Sequence, residues 1–128
     1  MLGSGGVPHA PSQAEIERLC ARTAASRGID GGHVAIEFVD AVRIARLNTE
    51  HRGKAEATDV LSFPIDGIEP LDSGIQRELG DVVICAAHTR DLREAIVHGM
   101  LHLLGMDHER DDGEMLALQR ELLAGGDR

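Results

Sequence analysis

The stretch HGMLHLLGMDH, residues 98–108, constrains the fold of this chain more than any other. His98 and His102 are four apart, so on a helix they share one face, ~6 Å apart along the axis. Gly105 can take the left-handed conformation that turns a chain back after a helix. That turn brings His108 under the same two imidazoles. The block therefore asks for a helix that ends in a glycine turn, with three histidines converging on one point. Composition alone would produce this spacing about once in 400 such chains, so coincidence explains it poorly.

Converging imidazoles are a metal-ligand set. Zn²⁺ takes nitrogen ligands at ~2.0–2.1 Å in a tetrahedral shell, and three protein ligands leave the fourth position open. Open positions belong to catalytic sites, whereas structural zinc sites are closed, usually by cysteines. The spacing is that of one large group of zinc metalloproteases, with one change. Those proteins carry a glutamate directly after the first histidine as general base. Here that residue is Gly99, which disfavours peptide hydrolysis by the usual route and lets something approach the helix closely. Asp107 and Glu109 flank the third histidine, and Asp107 is a candidate to hold an imidazole N–H from outside the metal shell.

The rest of the chain reads as one domain over residues 12–124, after a flexible leader over 1–11. Ser12 and Glu15 form a capping-box signature and Gly28 a stop, which predicts a helix over 13–27. HVAIEFV (33–39) is β-branched and apolar, a strand. Asp40 caps a second helix ending near Gly53, with Val42, Ala45 and Leu47 toward the core. TDVLSFP (58–64) and LGDVVICAA (79–87) read as strands on either side of a polar loop or loose hairpin at 66–78. The metal-site helix follows, with Leu92, Ile96, Leu103 and Leu104 buried. A last helix over 114–124 turns Met115, Leu118 and Leu122 inward. The order αβαββαα predicts an α+β fold, a small mixed sheet packed with helices.

Composition excludes several function classes. No apolar run reaches membrane-spanning length, and the first residues lack the pattern of a secretion signal. The expected location is the cytoplasm, with Cys20 and Cys85 as buried free thiols. A net charge of −9 argues against binding nucleic acid through the whole surface. With two Phe and no Tyr or Trp, a stacking platform for bases has almost nothing to be built from. Nucleic acid would have to be held by its phosphates or its shape.

One segment runs against the acidic balance. RIARLNTEHRGK (43–54) holds Arg43, Arg46, Arg52 and Lys54 against Glu50, a local charge of +3. Arg43 and Arg46 read as a solvated helix face. Arg52 and Lys54 fall in the link to the next strand, where a loop can present them to a phosphate.

Three blocks together resemble the bacterial YbeY family of metal-dependent endoribonucleases, which take part in ribosomal RNA maturation and ribosome quality control. They are LNTEHRGKAEATDVLSFP (47–64), LGDVVIC (79–85) and HGMLHLLGMDH (98–108), in the family's order. The resemblance covers roughly residues 33–123. It implies zinc at His98, His102 and His108, and a critical arginine at Arg52. It also implies single-stranded RNA as substrate, with a link to the 3′ end of small-subunit rRNA. Lys54 and Ser62 would then border the substrate, and ribosomal proteins or the small subunit would be partners. Thr58 and Asp59 would fix the loop that carries Arg52.

Two departures from the family pattern stand out. His51 occupies the place where the family usually has tyrosine. Only twelve residues, Ala86 to Val97, separate the LGDVVIC strand from the first histidine, about half the family's usual number, so one cleft wall should differ. Two competing readings remain: a non-catalytic ribosome-assembly or RNA-binding factor whose metal is structural, and a zinc hydrolase or metalloprotease. Arg52 and the open metal position discriminate between them.

Overall fold

Ser12 and Gly28 bracket the first helix of the computed structural model, α1 (Gln13–Ser26). The Ser12 hydroxyl accepts the Glu15 N–H at 3.1 Å, which satisfies one of the helix's four unbonded donors. The Glu15 carboxylate, which a full capping box would turn back to Ser12, pairs with Arg93. At the other end Gly28, at φ +78°, donates to Ala25 O, and Ile29 donates to Ala24 O, both at 3.0 Å. This is the Schellman arrangement that glycine permits.

The structure describes residues 11–52, 59–66, 68–72, 74–107 and 111–125, without the side chains of 51, 52 and 125. After α1 come β1 (His33–Val39), α2 (Ala41–Arg52), β2 (Val60–Pro64) and β3 (Glu78–Cys85). A 3₁₀ turn (Ala86–His88), α3 (Leu92–Leu103) and α4 (Glu114–Gly125) complete the order. The three strands lie in the order β1-β3-β2, with β1 parallel and β2 antiparallel to β3. The α+β fold with a small mixed sheet is therefore as expected.

Alternation along β3 assigns the two faces. Val82 and Ile84 point to a core that includes Ile16, Leu19, Ile96, Met100 and Met115 from α1, α3 and α4. Val83 and Cys85 point the other way, to Ile44 and Leu47 of α2. The register slips between His33 and Val34, so two β3 residues oppose one of β1 there. That bulge keeps Leu79 on the same face as Val82. Gly80 sits in it at φ +140°, where a Cβ would lie 2.3 Å from Phe63 O.

Several expectations shift. Val42 is 69 % exposed, and Ile44, Leu47 and Asn48 form the inner stripe of α2. Leu47 faces the core as expected; Ile44, three residues before it, shares its stripe, whereas Val42, five before it, does not. Asp40 does cap the helix, its Oδ1 accepting the Arg43 N–H at 2.8 Å. The β3 strand stops at Cys85 because the chain tightens into the 3₁₀ turn, where the Thr89 hydroxyl bonds Cys85 O at 2.7 Å. That turn, residues 89–91 and the first half of α3 make up the short link, and His88 on the turn is exposed. Asp66 N–H to Glu78 O at 2.8 Å extends the β2–β3 pairing, so the 66–78 loop begins and ends as a hairpin. Pro11, placed in the leader by sequence, is buried, and residues 1–10 lie outside the described set. Cys20 and Cys85 are free and buried. Among the described residues, no helix is long and apolar enough to cross a membrane.

Candidate metal centre

The metal-site helix is set by its two ends. Asp91 precedes α3, and its carboxylate accepts the N–H groups of Arg93 at 3.0 Å and Glu94 at 3.3 Å. Between the ends, Ile96, Met100, Leu101 and Leu103 are almost fully buried, which fixes the rotation of the helix against the sheet. At its end Gly105, at φ +90°, donates to His102 O, and Met106 donates to Leu101 O, both at 3.0 Å. The glycine stop of α1 recurs here, and its neighbour is one of the candidate ligands.

That neighbour is His102. Its Nδ1 lies 3.0 Å from Met106 O, the carbonyl that the glycine turn delivers. The His98 Nδ1 lies 2.8 Å from Oε1 of Gln119 on α4. Both partners are carbonyl oxygens, which only accept, so both Nδ1 atoms carry the ring proton. Each Nε2 is then left with its lone pair, and the two Nε2 atoms face each other at 3.2 Å. The rings meet edge-on, with centroids 4.8 Å apart and planes at 81°. Two facing lone pairs repel at that distance unless a cation sits between them. A tetrahedral ion with Zn–N bonds of ~2.0–2.1 Å spaces its ligand nitrogens by about 3.3–3.4 Å. The donor set, the tautomers and the spacing therefore fit a zinc-sized cation.

The remaining sequence-predicted residues fall as follows. His108, Glu109 and Lys54 lie outside the described residues, and so do the side chains of His51 and Arg52. Thr58, expected to help fix the Arg52 loop, is also outside them. Among the described residues no group of three potential ligands converges. The backbone of Arg52 ends α2, ahead of the link to β2. Asp107 is half-buried on the turn that precedes His108. Ser62 is half-buried on β2, and its hydroxyl donates to Gly99 O at 3.0 Å. Phe63 packs on the opposite, α2-side cluster.

Gly99 answers the question of the absent base. A Cβ at this position would lie 2.5 Å from Val82 Cγ1 and 3.2 Å from Ser62 Oγ. The element that approaches the helix closely is the sheet itself. Position 99 faces β2 and β3, so no carboxylate could be carried there without separating α3 from the sheet.

Sequence reasoning missed Gln119. It is 8 % exposed, on the same stripe as Met115 and Leu122. A polar residue inside an apolar stripe was the available signal, because buried amides are held by hydrogen bonds.

Known proteins resemble this chain over most of its length. The family model described as Endoribonuclease YbeY matches residues 6–126. The chain is 34 % identical to an endoribonuclease YbeY of Bacillus cytotoxicus, over 84 % of this chain and 82 % of the relative. It is 39 % identical to one from Alkalilimnicola ehrlichii, over 90 % and 78 %. A solution structure of a Thermotoga maritima protein superposes with a TM-score of 0.51, at 24 % identity over 85 % of this chain and 77 % of the other. That last likeness concerns the fold alone.

Proposed function

The chain belongs to the endoribonuclease YbeY family, and from that premise we propose that it is a zinc-dependent endoribonuclease that cuts single-stranded ribosomal RNA. The observation that supports the metal most directly is the facing pair of Nε2 atoms, 3.2 Å apart, with both Nδ1 protons engaged elsewhere. His98, His102 and His108 would hold the ion. Such a cation, when bound, supplies Lewis-acid activation of water and of a phosphoryl oxygen.

The chain's own residues supply the rest. Arg52, where α2 ends, forks onto non-bridging phosphate oxygens and offsets their charge as it builds. Lys54 draws a neighbouring phosphate. Ser62 gives its proton to Gly99 O, so it meets the substrate as an acceptor, for example of a ribose hydroxyl. Asp107, next to His108, holds an imidazole N–H of the metal set. This local recognition suits a chain of net charge −9, which repels phosphate except where cations gather. Gly99, turned to the sheet, speaks against the protease alternative, because the helix offers no base beside His98. The substrate would be the 3′ end region of small-subunit rRNA in the cytoplasm, with ribosomal proteins as further partners.

The test is cleavage of a labelled single-stranded RNA by zinc-loaded protein, with His102→Ala and Arg52→Ala purified identically. His102→Ala should abolish cleavage. Arg52→Ala should lower kcat by ~10²–10³-fold while zinc affinity stays unchanged. Equal cleavage by wild type and His102→Ala would expose a contaminant and defeat the proposal. Absence of cleavage by wild type would favour the assembly-factor reading.

A further inference from the structure

We infer that Gln119 is a positioning residue of the metal centre, through which helix α4 sets the tautomer and direction of His98. This rests on the metal-site reading above. Gln119 is 8 % exposed, and its Oε1 lies 2.8 Å from His98 Nδ1. Met115 and Leu122, on the same stripe, are 0 % and 7 % exposed, so the amide is carried into the core by its own helix. A buried amide without a partner is costly, which ties its oxygen to the imidazole N–H. The first turn of α4 is anchored by Asp111, whose Oδ2 accepts the Met115 N–H at 2.9 Å. With Nδ1–H held by Gln119, the His98 Nε2 points at the His102 Nε2.

The acceptor is also neutral, as is Met106 O behind His102. A carboxylate in the same place would add basicity to the ligand and hold a cation more tightly. An amide supplies direction without that charge. Gln119 thereby separates the orientation of the ligand from the electronic push that often accompanies it.

The experiment measures zinc affinity by competition with a chromophoric chelator for wild type, Gln119→Leu, Gln119→Glu and His102→Ala. Metal-free melting temperature and the long-range ¹H–¹⁵N NMR signature of the His98 tautomer accompany it. Gln119→Leu should bind zinc about 10–100-fold more weakly. It should keep a cooperative metal-free melt and lose the Nδ1–H preference of His98. Gln119→Glu should bind at least as tightly as wild type. Wild-type affinity in Gln119→Leu, with His102→Ala unable to bind, would overturn the inference and spare the metal centre. Wild-type affinity in His102→Ala would overturn the centre and the inference with it. If Gln119→Leu fails to fold, an Nε2–H tautomer of His98 in metal-free wild type would overturn the role. Weaker binding by Gln119→Glu would do the same.

Discussion

Replacing Gly99 with alanine probes the contact that positions the metal-site helix. The new Cβ would meet Val82 Cγ1 at 2.5 Å, with Val82 Cγ2 and Ser62 Oγ at 3.2 Å. Carbon atoms pack at ~3.5–4.0 Å, so α3 would have to back away by about 1 Å or Val82 would have to turn. Overpacking of this kind costs about 1–3 kcal/mol, and alanine returns about 1 kcal/mol through helix propensity. The net loss should be about 1 kcal/mol, or roughly 3–5 °C in Tm for a domain of this size. Val82→Ala alone removes two buried methyl groups and should cost about 2 kcal/mol. In that background the steric conflict is gone, and the alanine at 99 partly refills the space. Gly99→Ala should then stabilise by about 1 kcal/mol, a sign reversal equal to a coupling of about 2 kcal/mol. Urea unfolding of the four metal-free proteins measures every side of the cycle. Equal effects of Gly99→Ala in both backgrounds would refute the claim that Val82 is what excludes a side chain from position 99.

Gly105→Ala should destabilise by about 1–2 kcal/mol, because φ is +90° and an L side chain is strained there even though only Ile68 Cδ1, at 3.9 Å, is near. It should also weaken zinc binding by displacing Met106 O from His102; chelator competition and urea unfolding check the pair of effects, and unchanged affinity would sever the turn from the ligand. Burial, helped by the Glu17 charge, pushes the Cys20 thiol up from 9.0 to about 12. The folded state keeps that proton longer than the unfolded state, so its contribution is intact below pH 9 and is lost as pH rises toward 12. Stability should fall by up to ~1.4 kcal/mol per pH unit above pH 9, and the same fall in Cys20→Ala would assign it to other groups.

What sequence could and could not reveal follows from the range of the interactions involved. The ends of α1 and α3 were legible because Ser12, Gly28 and Gly105 act within a few residues of themselves. The facing of His98 and His102 was legible for the same reason: four residues of helix place them, whatever surrounds it. On α2 the inward Leu47 was legible, and helical spacing from it favours Ile44 over Val42, a choice that docking on Val83 and Cys85 enforces. Gly99 was visible as a missing carboxylate, but its cause is Val82 on a strand that precedes the helix. Gln119 reaches His98 across 21 residues of chain; its place in an apolar stripe signals a buried amide, but not which side chain that amide meets. The centre thus divides along a physical line. The spacing of His98 and His102 belongs to one helix and is local, whereas the direction of these two imidazoles belongs to packing: α4 sets it at His98 and a glycine turn sets it at His102. Changes remote from the histidine block, in α4 above all, should therefore retune the metal without touching a ligand.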